Sequence, residues 1–338
     1  MWMIYGANGY TGELIAREAM KRGQRPILAG RSAEKVEPLA RELALESRVF
    51  DVENPQLDGV QLVLHCAGPF IRTSRPMVDA CLAAGAHYLD ITGEIEVFEA
   101  VMARDAEAKQ RGVSLLPGVG FDVVPTDCLA AMLKAKLPTA TELWLAWYAP
   151  RAAVSPGTMK TMLEGAGYGG MIRRDGKLVR VPLMFDVREI PYSSGPRLSV
   201  TIPWGDVSTA FHSTGIPNIR VYTARSPKAV ARLKRIAPLM TLLRFGPIRR
   251  YAQKVAEKRT GPDATLREAG RTYLWGRAFH ASDEVTMTME TPEGYEFTVR
   301  SALAAVQRVL GEAVRPGAMT PSTRFGAEFV LAIPGVSL

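Results

Sequence analysis

Three glycines, Gly6, Gly9 and Gly12, lie in the run GANGYTG, directly after the apolar MWMIY and before a helix-like stretch from Glu13 to Arg22. A strand, a glycine loop and a helix start in this order suit one kind of chemistry, the binding of a pyrophosphate. The first N–H groups of a helix are unpaired and its N-terminal end is positive, while glycines let the backbone approach an anion closely. Asn8, Tyr10 and Thr11 complete this loop. Nineteen positions beyond Gly12, a second apolar stretch (Pro26 to Ala29) ends in Gly30, Arg31 and Ser32, with Lys35 just after. NAD-preferring domains carry an Asp or Glu here for the ribose 2′-hydroxyl. A guanidinium could instead grip a 2′-phosphate with two bonds. These residues point to NADP(H). A structural turn and a solvated arginine would be the chemically silent alternative.

Hydride transfer also needs the nicotinamide held against its acceptor and, in most cases, a proton donor. In an open parallel sheet, ligands sit beyond the carboxyl ends of the strands, which singles out three loops. Ala67-Gly68-Pro69-Phe70 is expected beside the pyrophosphate and its riboses, while Thr92-Gly93-Glu94 and Gly118 to Asp127 frame the nicotinamide. Asp122 is the first candidate acid, with a capping role as its alternative. Asp127 reads as an N-cap, Glu94 as a ribose ligand or the cap of a helix beginning near Glu96, and Asp90 as part of a strand-end hydrogen-bond network. His65 and Cys66 read as core. Farther on, Ser155-Pro156-Gly157-Thr158 has the residues of a helix start, Ser at the N-cap and Pro at the first helical position. Ser155, Gly157 and Thr158 could hold a substrate carbonyl or carboxylate there, and Tyr168 is a second candidate donor.

Alternating elements must position these loops. Candidate strands at 48–52, 60–67, 87–91 and 113–116 alternate with helices at 75–84, 97–111 and 127–136, and several strands are apolar on both faces. That pattern predicts an α/β fold with a Rossmann-like, doubly wound parallel sheet. From about Thr141 the texture changes to strand-like runs: ELWLAWYAP, LVRVPLMFDVREI, RLSVTIPW, NIRVYTA, RTYLWGRAF, DEVTMTMETP and YEFTVRSAL, separated by turns such as Asp175-Gly176. They predict a second α+β domain with a mostly antiparallel sheet. Helices are expected at 300–310 and 323–331. The division expected is 1–138 for the NADP-binding domain and 139–319 for the substrate domain, with a C-terminal helix in 320–338 returning to the first.

The chain has 338 residues, 47% hydrophobic and 22% charged, enough for two cored domains. No secretory leader and no spanning apolar segment is read from it, so the expected location is cytoplasmic, with or without attachment to a membrane surface. Three scattered cysteines and four histidines share no metal-ligand spacing, and no metal is expected. The net charge of +8 is localised. Between Pro227 and Gly261 there are ten Lys or Arg and one acid, Glu257, which leaves the rest of the chain near balance. This segment predicts a basic, amphipathic helical hairpin broken at Gly246-Pro247. It could meet an acidic carrier protein or an anionic membrane, cover the cleft as a lid, or stand as a solvated hairpin. Nucleic acid is not expected, because no recognition motif accompanies the charge. Nothing fixes the oligomeric state; a homodimer is compatible.

YGANGYTG, LAGRS, CAGPF, YLDITGE and PGVGFDVVPTD, in this order and spacing, resemble the saccharopine dehydrogenase-like oxidoreductases, and within them the trans-acting enoyl reductases. The resemblance runs from Met1 to about Gly169. It implies a Rossmann domain, a substrate-carrying α+β domain, NADP(H), and a C-terminal helix that packs back on the first domain. It leaves open hydride addition to an activated C=C of a hydrophobic acyl-type substrate, reductive C–N chemistry on an amino-acid-derived imine, and a non-catalytic NADP-binding protein at a lipid surface. By the same comparison short-chain dehydrogenases are excluded. They need Tyr-x-x-x-Lys, and Lys254 follows Tyr251 one position too early.

Overall fold

The computed structural model describes residues 1–150, 153–256 and 260–338. The first 136 residues alternate strand and helix: β1 (Trp2–Tyr5), α1 (Tyr10–Lys21), β2 (Ile27–Gly30), α2 (Ala33–Glu42), β3 (Ser47–Val49), β4 (Leu62–His65), α3 (Phe70–Ala84), β5 (His87–Asp90), α4 (Ile95–Met102), α5 (Asp105–Arg111), β6 (Ser114–Leu116) and α6 (Val124–Lys136). Strands β1, β2 and β4 are buried along their whole length, as a sheet covered by helices on both faces requires. Their order is β3-β2-β1-β4-β5-β6, all parallel. The order reverses between β1 and β4, so the crevice for a ligand opens above Tyr5 and His65, which are register partners.

The second half forms β7 (Glu142–Tyr148), α7 (Pro156–Gly165), β8 (Gly170–Arg174), β9 (Lys177–Val181), β10 (Val187–Tyr192), β11 (Gly195–Thr201), α8 (Asp206–Thr214), β12 (Asn218–Ala224), α9 (Pro227–Met240), α10 (Gly246–Ala256), α11 (Ala264–Ala269), β13 (Arg271–His280), β14 (Asp283–Pro292), α12 (Gly294–Gly311), β15 (Gly317–Ala318) and α13 (Pro321–Phe325). Its sheet runs β10-β11-β12-β7-β13-β14, with the β8–β9 hairpin attached to β12. β7 and β12 are parallel and the other pairs antiparallel. At the β8–β9 turn Asp175 and Gly176 both take positive φ, 49° and 75°, the conformation a tight hairpin demands of its two central residues.

Four elements depart from the sequence expectation. YEFTVRSAL is helical, not a strand: Glu293 caps α12 by accepting the N–H groups of Tyr295 and Glu296 (2.7 and 3.1 Å). Burial of Phe297, Ser301 and Ala305, four residues apart, overrides the strand preference of Tyr, Phe, Thr and Val. The helix expected at 97–111 divides at Ala103 and Arg104 into α4 and α5. Helix α3 starts at Phe70, not near Arg75; Pro76 sits inside it and forfeits one backbone bond, while a distant carboxylate anchors the added turns. The helix expected at 323–331 is instead the short α13 followed, after Gly326 (φ 91°), by a 3₁₀ turn at Ala327–Ala332.

The C-terminal region interlocks with the first sheet. β15 pairs in parallel with β6, α12 packs on α1 and β4, and α13 with the following turn packs on α6.

Candidate active site

At the β1–α1 junction Gly6 adopts φ +85°, and the N–H groups of Gly6 and Ala7 both donate to Ala29 O (2.8 and 3.1 Å), pinning the loop to β2. A side chain on Gly12 would put its Cβ 2.3 Å from Gly6 O, and one on Gly6 would meet Ala67 at 2.8 Å. Both positions must be bare for the turn to close. Asn8 lies against Gly30, whose Cβ would come within 2.9 Å of its Oδ1. Gly9 occupies the N-cap of α1 without a side-chain cap, leaving the N–H groups at Tyr10, Thr11 and Gly12 to an anion. These residues fit a dinucleotide pyrophosphate.

Arg31 is exposed at the end of β2 and makes no hydrogen bond among the described residues. Ser32, the N-cap of α2, leaves that helix start without a side-chain cap, and Lys35 is exposed in its first turn. A guanidinium, a hydroxyl, an ammonium and a second open helix start thus share one strand end, a donor set suited to a phosphate monoester.

The loop after β4 is held from a distance. Phe70 and Ile71 donate their N–H groups to Glu94 Oε1 and Oε2 (2.8 and 2.7 Å), and the Thr161 hydroxyl donates to Oε1 (3.3 Å). Glu94 therefore caps α3, not the helix beginning beside it. Burial pushes its carboxyl up to about 7 against these stabilising bonds. Thr92 is fully buried, and its hydroxyl accepts the Glu94 N–H (3.1 Å), so its side chain shapes the loop and does not face the cleft. Asp90 joins the loops after β5 and β6. Its Oδ1 accepts the N–H groups of Thr92 and Gly118 (3.0 and 2.8 Å), its Oδ2 the Tyr88 hydroxyl (2.8 Å), and burial raises it to about 6.

Between those loops stands Asp122. Its carboxyl rests on Gly93, where a Cβ would lie 2.3 Å from Oδ2, and it accepts no hydrogen bond among the described residues. Desolvation lifts it from 3.8 to about 7, so near neutrality it passes readily between acid and carboxylate, the property a proton donor needs. Phe121 beside it in the chain begins a cluster of rings, and the buried Asp206 carboxyl lies near enough to feel its charge. Phe121 is fixed by its N–H to the Thr298 hydroxyl (3.0 Å) and meets Trp147 edge-on at 6.1 Å, and Trp147 packs on Trp204 at 5.0 Å.

The second domain reaches across through Tyr295, which the sequence hid inside a run that reads as a strand. Its hydroxyl accepts the Ser155 N–H (2.7 Å) and bonds the Thr158 hydroxyl (2.8 Å), while its ring stands edge-on to Tyr10 at 5.0 Å. The Tyr10 hydroxyl donates to Pro262 O and accepts from Arg267. Ser155 caps α7 through the Thr158 N–H (3.2 Å), so the side chains of Ser155 and Thr158 serve their own helix and this clasp, while Gly157 lies in its first turn. Farther along α7, Thr161 sits beside Gly68 and Glu94. Glu164 ion-pairs with Arg72 of α3 and Arg249 of α10 (2.8 and 3.1 Å). No sequence signal marked Thr161 or Glu164, because their partners lie far away in the chain. Tyr168 is not joined to Asp122: its exposed ring lies between the Arg180 and Arg244 guanidiniums at 5.3 and 5.5 Å.

Asp127 is no N-cap. It is buried in the first turn of α6 and accepts the Ser213 hydroxyl and the Ser322 N–H, tying α6 to α8 and α13. His65 bonds Thr73 within the core (2.9 Å), and burial lowers it to about 3. Among the described residues no three His, Cys, Asp or Glu gather as a metal site.

Residues 2–116 match the saccharopine dehydrogenase NADP-binding domain. Similar proteins include the saccharopine dehydrogenase-like oxidoreductase of Mus musculus, 31% identical over 51% of this chain and 47% of the relative. A Mycobacterium tuberculosis protein named as a trans-acting enoyl reductase is 30% identical over 37% of this chain and 33% of its own length. Each alignment thus spans about half the relative's length or less. Among solved structures, apo saccharopine dehydrogenase (L-Glu forming) of Saccharomyces cerevisiae superposes over 97% of this chain and 95% of its own with a TM-score of 0.63 at 12% identity. The two share the saccharopine dehydrogenase fold. The family match supports a nicotinamide dinucleotide as the cofactor.

Proposed function

We propose that this chain is an NADP(H)-dependent oxidoreductase that adds hydride to an activated C=C of a hydrophobic, acyl-type substrate. The observation that carries this reading is the Asp122 carboxyl, set against Gly93 beyond the strand ends and poised near 7. It stands on the side of the sheet where the uncapped α1 start would hold the pyrophosphate. Bound there, the nicotinamide would supply the hydride. Gly6, Gly9 and Gly12 admit the pyrophosphate, and Arg31, Ser32 and Lys35 favour a 2′-phosphate.

The protein's own contribution is position and a proton. Asp90 and Glu94 fix the loops that frame the cleft, and Asp122, protonated by desolvation, can donate to the carbon next to the one receiving hydride. Phe121, next to Asp122 in the chain, packs with Trp147 and Trp204 in a ring cluster that suits a hydrophobic substrate. A reductase for amino-acid imines would need several arginines converging on the cleft to hold substrate carboxylates.

The relative named as an enoyl reductase and the fold shared with saccharopine dehydrogenase support the two chemistries in turn. A panel of enoyl thioesters and of imines, assayed by loss of NADPH absorbance, separates them. Turnover of enoyl substrates alone supports the proposal, whereas turnover of imines alone overturns it.

A further inference from the structure

We infer that the hairpin of α9 and α10 seats its outer face on an anionic phospholipid bilayer. In α10, Ile248, Tyr251 and Val255 recur at three and four residues and share one stripe, and all three are exposed. Arg249 and Gln253 lie on the opposite side and hold the helix to α7 through Glu164. The outward stripe is therefore not waiting for this fold to bury it. Lys254 borders the stripe and Arg250 lies beyond it on the same side, both exposed and without an ion pair among the described residues.

Helix α9 repeats the arrangement. Lys228, Arg232, Arg235, Ile236 and Leu239 share a face at helical spacing, all exposed, and Leu242 and Phe245 extend it through the 3₁₀ link at Thr241–Arg244. Leu239, Phe245 and Tyr251 are 64, 61 and 73% exposed. Protruding apolar side chains amid cations suit the interface of an anionic leaflet, where tails accept the apolar groups, headgroups pair with Lys and Arg, and a Tyr ring sits between them. A folded acidic protein would meet the cations but would need a matching pocket for each protruding side chain, whereas a bilayer takes them up without one. The last three basic-segment residues before Thr260 lie outside the described residues. No helix among the described residues is long and apolar enough to span a membrane, so the attachment is peripheral. Glu164 ties α10 to α7 and α3, which links the docked face to the helix after β4.

The test is flotation of the whole protein with vesicles of phosphatidylcholine alone or mixed with phosphatidylglycerol, at low and high salt. Expected are binding to the phosphatidylglycerol vesicles that weakens with salt, and loss of at least roughly tenfold in affinity in two variants. One is Leu239→Ser with Phe245→Ser and Tyr251→Ser; the other is Arg232→Gln with Arg235→Gln and Arg250→Gln. Hydrogen exchange of residues 227–256 in the unaltered protein, slowed by the same vesicles, gives the answer should a variant fail to fold. The inference is overturned if the unaltered protein does not float with phosphatidylglycerol, or if the serine variant floats as well as its parent. Binding to a purified acidic carrier protein in place of vesicles also overturns it.

Discussion

Replacing Asp122 by asparagine should stabilise the fold at high pH while removing the proton donor. Burial raises this carboxyl from 3.8 to about 7, so the folded state holds a proton that the unfolded chain releases above 3.8. Stability is therefore lost as pH rises from about 4 to 7, and the full penalty stands above the folded value. At ~1.4 kcal/mol for each tenfold change in proton affinity, that penalty is about 4 kcal/mol. The asparagine carries no charge to desolvate, but its amide N–H would be unpaired beside Gly93, at a cost of about 1–3 kcal/mol. The expected outcome is a gain of about 1–3 kcal/mol at pH 8 and a loss of similar size at pH 4. Urea unfolding of both proteins at the two pH values measures this double difference. The titrations of Glu94 and Asp90 are common to both proteins and largely cancel, whereas Asp206, which feels the Asp122 charge, is relieved by the substitution and adds to the gain at pH 8. An equal effect of the substitution at pH 4 and pH 8 would refute the assignment of a desolvated carboxyl at this position. Turnover on the identified substrate should fall at least roughly a hundredfold if Asp122 donates the proton.

Two further outcomes follow from the geometry. Gly12→Ala forces a Cβ to within 2.3 Å of Gly6 O; opening the turn should cost about 1–3 kcal/mol and weaken NADPH binding at least about tenfold, read by melting and fluorescence titration. Tyr295→Phe removes the acceptor for the Ser155 N–H and the partner of the Thr158 hydroxyl. It should cost about 1–3 kcal/mol and raise KM more than it lowers kcat, since the clasp positions α7 without touching the reacting atoms.

The parallel half of the fold was readable because its strands are short apolar runs bounded by glycine and proline, so local sequence and tertiary demand agree. Reading failed where a distant partner decides the local structure. Phe70 begins a helix because Glu94, twenty-four residues later, accepts two of its first N–H groups. The Tyr295 segment is a helix because one face of it is needed under the first sheet. At the cleft, the residue types that hold phosphate were legible in sequence order, since glycines and a strand-end arginine act close to where they stand. Asp122 was legible as a carboxyl on the right loop, whereas its desolvation depends on Gly93 and on the packing around it. Thr161, Glu164 and Tyr295 act across domains, and local spacing carries no trace of such pairs.

Preference for NADP(H) over NAD(H) requires a 2′-phosphate held at the end of β2. Titrating NADPH and NADH into the parent protein and Arg31→Asp tests it most directly. The parent should prefer NADPH, and the substitution should weaken NADPH by about 3 kcal/mol, roughly a hundredfold, while leaving NADH affinity unchanged or improved. Unchanged preference in Arg31→Asp, or a parent that binds NADH as tightly as NADPH, would contradict it.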